Sequence, residues 1–230
     1  MDTKKKSQFI EYFSKGIKSV NQLKIGVEHE RFLFEGQNKK RISYQTLKSL
    51  FENLKSNGWK PLYEKENIIG MKRNNQQITT EPGLQCELSG APLENIHQVC
   101  NESSKFLKEI ESASKGINIS TVSIGFDPFN NLADVPKSPK TRYKIMTKEM
   151  PKGGKQSLEM MYRTCGIQIN YDYTSESNFE KIFRLGNYLT PLTIALYSNS
   201  PFESGKPSGY YSYRNKVWQN TSRGGIMPIA

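Results

Sequence analysis

Phe9, Ile10, Phe13 and Ile17 recur at helical spacing, which predicts an amphipathic helix that opens the chain and ends before Asn21. Over residues 24–34 the period changes to two. Glu28, Glu30, Phe32 and Phe34 then share one face of a strand, and Val27, His29, Arg31 and Leu33 the other. Residues 46–56 read as a helix with Leu47, Leu50, Phe51 and Leu54 on one stripe and Asn57-Gly58 as its stop. Short strands follow at 61–63, 68–72 and 77–88, the last broken by Pro82-Gly83, and together they predict an antiparallel meander. Leu93, Ile96, Cys100, Leu107 and Ile110 mark a long helix with Pro92 near its first turn. Residues 117–126 form a further strand. The Pro-, Gly- and Lys-rich stretch 127–156 is too long for a passive connection and is expected to be a lid or binding loop. Residues 164–173 alternate, with Thr164, Gly166, Gln168, Asn170 and Asp172 on one face. A helix over 179–198, interrupted by Pro191, and a Gly- and aromatic-rich loop over 199–230 complete the pattern.

Strands joined by connections too short for crossovers imply an α+β unit: a mainly antiparallel sheet with helices on one face and the other face free for a site. With 230 residues, 35% of them hydrophobic and 11% aromatic, the chain can bury one sizeable core. No apolar run approaches the roughly 18 to 20 residues of a membrane span, so no membrane partner is expected. The Lys-rich start lacks an apolar signal core, and a cytoplasmic protein is expected. Cys86, Cys100 and Cys165 form no CxxC pair, which fits a reducing compartment without structural zinc. With two histidines, His29 and His97, a catalytic thiol has little support. The net charge of +11 comes from scattered lysines, clustered briefly at 4–6 and 39–41. It fits a solvated surface or an anionic substrate, and no nucleic-acid partner is expected in the absence of a recognition motif.

Four features carry chemistry. Glu28 and Glu30 lie on one face of an otherwise apolar strand, where hard oxygen donors without sulfur or imidazole suit Mg2+ or Mn2+; a merely wet sheet face is the alternative. Glu87 lies in the segment 80–90, and Glu81 joins it as a candidate metal ligand, although a residue before Pro82 can equally serve a turn. Gln168 and Asn170 suit neutral ligation or hydrogen bonds to a nucleotide, with cross-strand amide pairing as the alternative. Arg142, Arg163 and Arg214 stand out in a lysine-dominated chain, because a guanidinium grips a carboxylate or phosphate bidentately. Arg163, directly before the polar strand, is the catalytic candidate; an ordinary ion pair is the alternative for each arginine.

Ile-Gly-Val-Glu-His-Glu-Arg-Phe at 25–32, Glu-Pro-Gly-Leu-Gln-Cys-Glu-Leu-Ser-Gly-Ala-Pro-Leu-Glu at 81–94, Arg-Tyr-Lys-Ile-Met at 142–146, Met-Tyr-Arg-Thr-Cys-Gly-Ile-Gln-Ile-Asn at 161–170, Asn-Ser-Pro-Phe at 199–202 and Gly-Lys-Pro-Ser-Gly at 205–209 resemble, in order and spacing, the glutamate-cysteine ligase family of plant and alphaproteobacterial type. The resemblance runs from about Lys24 to the end of the chain. It implies a glutamine-synthetase-like fold and ATP-dependent formation of γ-glutamylcysteine from glutamate and cysteine, the first step of glutathione synthesis. It also implies that Glu28, Glu30 and Glu87 hold magnesium, that Arg142 and Arg214 hold the glutamate carboxylate, and that Gln168 and Asn170 sit beside the metal and phosphates. Leu84 and Cys86 depart from the plant pattern, which usually has a second glycine and a phenylalanine there. The expectation for 1–230 is the amino-terminal part of a single catalytic domain, truncated near Met227-Pro228 and prone to self-association. A ligase acting on another amine, or a fragment that binds without turnover, are the alternatives.

Overall fold

The computed structural model describes residues 3–221. In chain order the elements are α1 (Thr3–Ser14), β1 (Ile25–Glu35), β2 (Lys40–Arg41), α2 (Tyr44–Leu54), β3 (Lys60–Glu64), β4 (Asn67–Arg73), β5 (Gln76–Thr80), β6 (Cys86–Ser89), α3 (Ile96–Ala113), β7 (Ile119–Val122), α4 (Thr141–Glu149), α5 (Ser157–Arg163), β8 (Ile167–Tyr171), α6 (Glu176–Leu196), β9 (Phe202–Glu203), β10 (Lys206–Pro207) and α7 (Tyr213–Gln219). Among the described residues no helix is long and apolar enough to cross a membrane.

The alternating pattern of β1 makes it the spine of an eight-stranded sheet with the order β2-β1-β6-β5-β4-β3, to which β7 and β8 add by pairing with β1. Each pairing is antiparallel, and in β1–β2 and the β3–β6 meander the short connections require it. One cross-strand row runs Ile167–His29–Leu88–Ile78–Met71. Leu88, Ile78 and Met71 are buried in the main core, which also takes in Leu47, Leu50, Phe51 and Leu54 of α2 and Phe106 and Ile110 of α3. Each such side chain removed from water contributes about 1.5–3 kcal/mol. The neighbouring rows, Gln168–Glu28–Ser89–Gln77 and Glu30–Glu87–Thr79, point to the opposite face.

α2 starts at Ser43, whose Oγ accepts the Thr46 N–H at 3.1 Å, and its last turn runs through Lys55–Asn57 to Gly58 at φ 83°. That left-handed value explains the Asn57-Gly58 stop. Several expected elements differ. Pro92 lies outside α3, because Leu93 exchanges backbone hydrogen bonds with Ile25 and the helix begins only after its cap, Asn95. The stretch 127–156 is not a bare loop. It holds α4, whose Tyr143 is buried with its O–H on Thr80 O and the Glu81 carboxylate, so tertiary anchoring replaces the missing apolar stripe. Pro191 does not interrupt α6; nearby, Thr190 Oγ1 donates to Gly186 O and Thr193 Oγ1 to Thr190 O. The closing segment contains α7, capped by Ser212. Residues 222–230, and with them Met227-Pro228, lie outside the described residues.

One side of the sheet is left bare. β8 pairs with β1 alone among the described residues, and each of its five residues is exposed. α6 has no buried residue despite Phe179, Phe183, Leu185, Tyr188, Leu189, Leu192 and Leu196, and Phe9, Ile10 and Phe13 of α1 are likewise more than half exposed.

Candidate active site

Strand register brings Glu30 of β1 directly opposite Glu87 of β6, on the face away from the core. The turn between β5 and β6 adds Glu81. Each of these three carboxylates offers an oxygen within 4.8 Å of the others. Glu30 accepts the Gly166 N–H, Glu87 accepts Ser89 Oγ at 2.6 Å and Thr79 Oγ1 at 3.3 Å, and Glu81 accepts the Tyr143 O–H at 3.1 Å. Burial, followed by the charges of Glu81 and Glu87, pushes the Glu30 carboxyl up to about 7. Burial and Glu87 also raise Glu81, against the pull of Lys140, Tyr143 and Arg142. Three half-buried carboxylates that repel one another are relieved by a divalent cation, and an all-oxygen donor set fits Mg2+ or Mn2+ rather than zinc.

Glu28 lies on the same face but outside this group. Its Oε1 accepts Gln168 Nε2 at 3.3 Å and Asn170 Nδ2 at 3.1 Å, which makes a second polar set on the exposed strand β8. Of the expected Glu28, Glu30, Glu87 and Glu81, the last three converge most closely, because the turn delivers Glu81 inward while β8 engages Glu28.

Glu28, Glu30, Glu81, Gln168, Arg142 and Arg214 all line one cavity of about 620 Å3, together with Gln85, Tyr143 and Trp218. Arg214 sits on α7 with its guanidinium over Gly166, where a Cβ would stand 2.9 Å from Nη2, so a side chain at 166 would displace the guanidinium from this position. Its Nε is buried without a partner, and burial lowers its basicity while Glu30 opposes that effect. Arg142 on α4 is largely exposed, reaches Tyr143 Oη at 2.6 Å and comes within 4.0 Å of Glu81. Arg142 thus stands beside Glu81 and Arg214 beside Glu30, so an anionic ligand in the cavity would meet guanidinium groups next to any cation held by the carboxylates.

Of the candidates, Glu87, Asn170 and Arg163 do not line the cavity; Glu87 and Asn170 adjoin it through Glu30, Glu81 and Glu28, whereas Arg163 points elsewhere. Its side chain is buried against Phe126, pairs with Glu159 at 2.9 Å and Glu203 at 3.5 Å, and donates to Asp127 O, which leaves only its buried Nε without a partner. Tyr143 and Trp218 line the cavity without having been singled out. The Tyr143 signal was its place beside Arg142 in the motif at 142–146. Burial drives its phenol above the ordinary range, so it remains a donor to Glu81 at neutral pH.

Residues 24–230 match the sequence profile of glutamate-cysteine ligase family 2. The chain belongs to that family. It is similar to the chloroplastic glutamate-cysteine ligase of Nicotiana tabacum, with 41% identity over 227 residues that cover 97% of this chain and 44% of the relative. The chloroplastic glutamate-cysteine ligase A of Oryza sativa subsp. japonica is 40% identical over 227 residues, covering 97% and 46%, and the Arabidopsis thaliana enzyme is 39% identical, covering 97% and 44%. The chain thus spans about half the length of the curated relatives it matches. The cytoplasmic expectation is overturned by these family members, which are named chloroplastic. It rested on the lack of an apolar leader, and organellar addresses are polar, Arg- and Ser-rich segments that such a test does not detect.

Proposed function

We propose that residues 1–230 form the amino-terminal part of one catalytic domain that joins the side-chain carboxylate of glutamate to the amine of cysteine at the expense of ATP. The observation that carries this reading is that Glu30 and Glu81, which line one cavity with Arg142 and Arg214, converge with Glu87 to within 4.8 Å of one another. Family membership and the names of the relatives support it.

A carboxylate is a poor electrophile until activated. In the first step a γ-carboxylate oxygen of glutamate bonds to the γ-phosphorus of ATP while the bond to the β–γ bridging oxygen breaks and ADP leaves. In the second, the amine of cysteine attacks the acyl carbon, phosphate departs with the C–O bonding pair, and the amine loses a proton. Glu30, Glu81 and Glu87 would hold Mg2+ or Mn2+, which supplies positive charge to the triphosphate and the transferring group. Arg214, half-enclosed over Gly166, and Arg142 orient the glutamate α-carboxylate through their planar donor forks. Tyr143 fixes Glu81 by its hydrogen bond. Gln168 and Asn170 hold Glu28 at the open end of the cavity, beside the space for the phosphates.

Calorimetric titration of the chain with Mn2+ and then with L-glutamate tests this reading. Glu30→Gln is expected to weaken Mn2+ binding at least tenfold, and Arg214→Lys to weaken glutamate binding while leaving Mn2+ binding within about threefold, because a point charge replaces a fork. Mn2+ binding indifferent to Glu30→Gln, or glutamate binding unchanged in both Arg142→Ala and Arg214→Ala, sinks it.

A further inference from the structure

Of the three converging carboxylates, Glu30 and Glu87 are placed by strand register, whereas Glu81 is placed by a turn. That turn is tied down along most of its length. Leu84 N–H donates to Glu81 O at 2.9 Å, Glu81 N–H to Gln85 O at 2.9 Å, and Ser138 N–H to Pro82 O at 2.8 Å. The Gly83 peptide is gripped from both ends by buried side chains: Arg41 Nη2 donates to its carbonyl, and its N–H donates to Gln85 Oε1 at 2.8 Å. Both grips are anchored at the end of α5. Arg41 Nη1 reaches Tyr162 O at 3.3 Å, and Gln85 Nε2 reaches Met161 O at 3.2 Å and Thr164 O at 2.9 Å. Arg41 is itself fixed by Asp127 Oδ2 at 3.3 Å and by the face of Phe32 at 4.5 Å, with its side chain and that of Asp127 fully buried. The turn presses so closely on α5 that a Cβ on Gly83 would stand 2.5 Å from Tyr162 O.

We propose that Arg41, acting with Gln85, is a positioning residue of the carboxylate site: it locks the Gly83 peptide against α5 and thereby holds the Glu81 carboxylate toward Glu30 and Glu87. Such a lock is needed because like charges that converge push one another apart, and Glu81 is the member carried on a segment able to swing away. Preorganised ligands bind a cation without first spending energy on being gathered. A lysine at position 41 would keep the charge but could not span Gly83 O, Tyr162 O and Asp127 at once.

The inference rests on reading Glu30, Glu81 and Glu87 as a divalent-cation site, and the experiment separates the two. Mn2+ affinity of the full chain is measured by electron paramagnetic resonance for the wild type, Arg41→Lys, Gln85→Met and the control Arg73→Lys, each checked for folding by near-ultraviolet circular dichroism. Arg73 is a matched control on the core face, stacked on Trp59 at 4.2 Å and bonded to Glu109 at 2.8 Å and Asn57 O at 2.9 Å. Expected is a loss of about 10- to 100-fold in Mn2+ affinity for Arg41→Lys, the same direction for Gln85→Met, and a change within about threefold for Arg73→Lys. Should Arg41→Lys not fold, Gln85→Met alone decides. Wild-type affinity in a folded Arg41→Lys or Gln85→Met, or an equal loss in Arg73→Lys, overturns the positioning role. A wild type that does not bind Mn2+ overturns the cation site itself, and the positioning role with it.

Discussion

Glu30 carries the sharpest electrostatic conflict at the residue scale. Its carboxyl ordinarily titrates near 4.5 and is pushed to about 7 by burial and by two neighbouring carboxylates. A folded-state value above the unfolded one means that the folded chain binds the extra proton. The resulting stability is fully present below about 4.5 and is lost as pH rises through about 7. Metal-free chain is therefore expected to lose on the order of 2 kcal/mol between pH 5 and pH 8 that Glu30→Gln does not lose. Saturating Mn2+ should abolish the difference. Urea midpoints across that range measure it, and parallel curves for the two proteins would contradict the assignment. The residue roles were legible in the sequence to different depths. Glu28, Glu30 and Glu87 announced themselves by strand parity, but parity says nothing of the third dimension, so it could not show that the turn residue Glu81 stands nearer to Glu30 and Glu87 than parity alone reveals. That Arg163 lies away from the cavity was not legible, because composition shows that arginine is scarce but not where its side chain is buried, here beside Glu159 and Glu203.

At the scale of elements, the strongly periodic segments were read well: β1, α2 and the β3–β6 meander obey period and stop signals that local sterics dictate. α4 and α7 were missed because their helical state depends on partners far along the chain, such as Thr80 and Glu81 for Tyr143. The turn between β5 and β6 invites a direct test. Leu84 stands at φ 59°, a left-handed value that favours glycine, yet its side chain is fully buried in the same core as Cys86. Leu84 and Cys86 share one core, so the glycine and phenylalanine expected there from the resemblance would trade volume between the two positions. Leu84→Gly should cost about 1–3 kcal/mol, since lost burial outweighs relieved strain, and Cys86→Phe about 1–3 kcal/mol by overpacking. The double variant should recover at least about 1 kcal/mol of the sum. Additivity within about 0.5 kcal/mol in urea denaturation would show that the two sites share no space.

For the whole molecule, a single sheet divides the labour. Its core face carries the stability supplied by α2 and α3, and its other face carries the carboxylates, so substitutions on the two faces should separate into stability and ligand effects. That two-sided plan was visible in the alternation of β1, β6 and β8; the size and shape of the cavity were not, because they arise from α4, α5 and α7 packing across it. The flank formed by β8 and α6 has a further physical consequence. A strand whose second row of N–H and C=O groups has no strand partner among the described residues, bearing Ile167, Ile169 and Tyr171 in the open, is a template on which another strand can extend the ladder. In solution the polypeptide should behave as a nucleating surface: its sedimentation coefficient should rise with concentration, and salt that screens the mutual repulsion of +11 chains should promote the growth. Ile169→Lys places a like charge on each approaching edge and should shift the onset of association to several-fold higher concentration. Analytical ultracentrifugation that finds equal onsets for the two proteins would move the sticky element from the strand to the neighbouring helix.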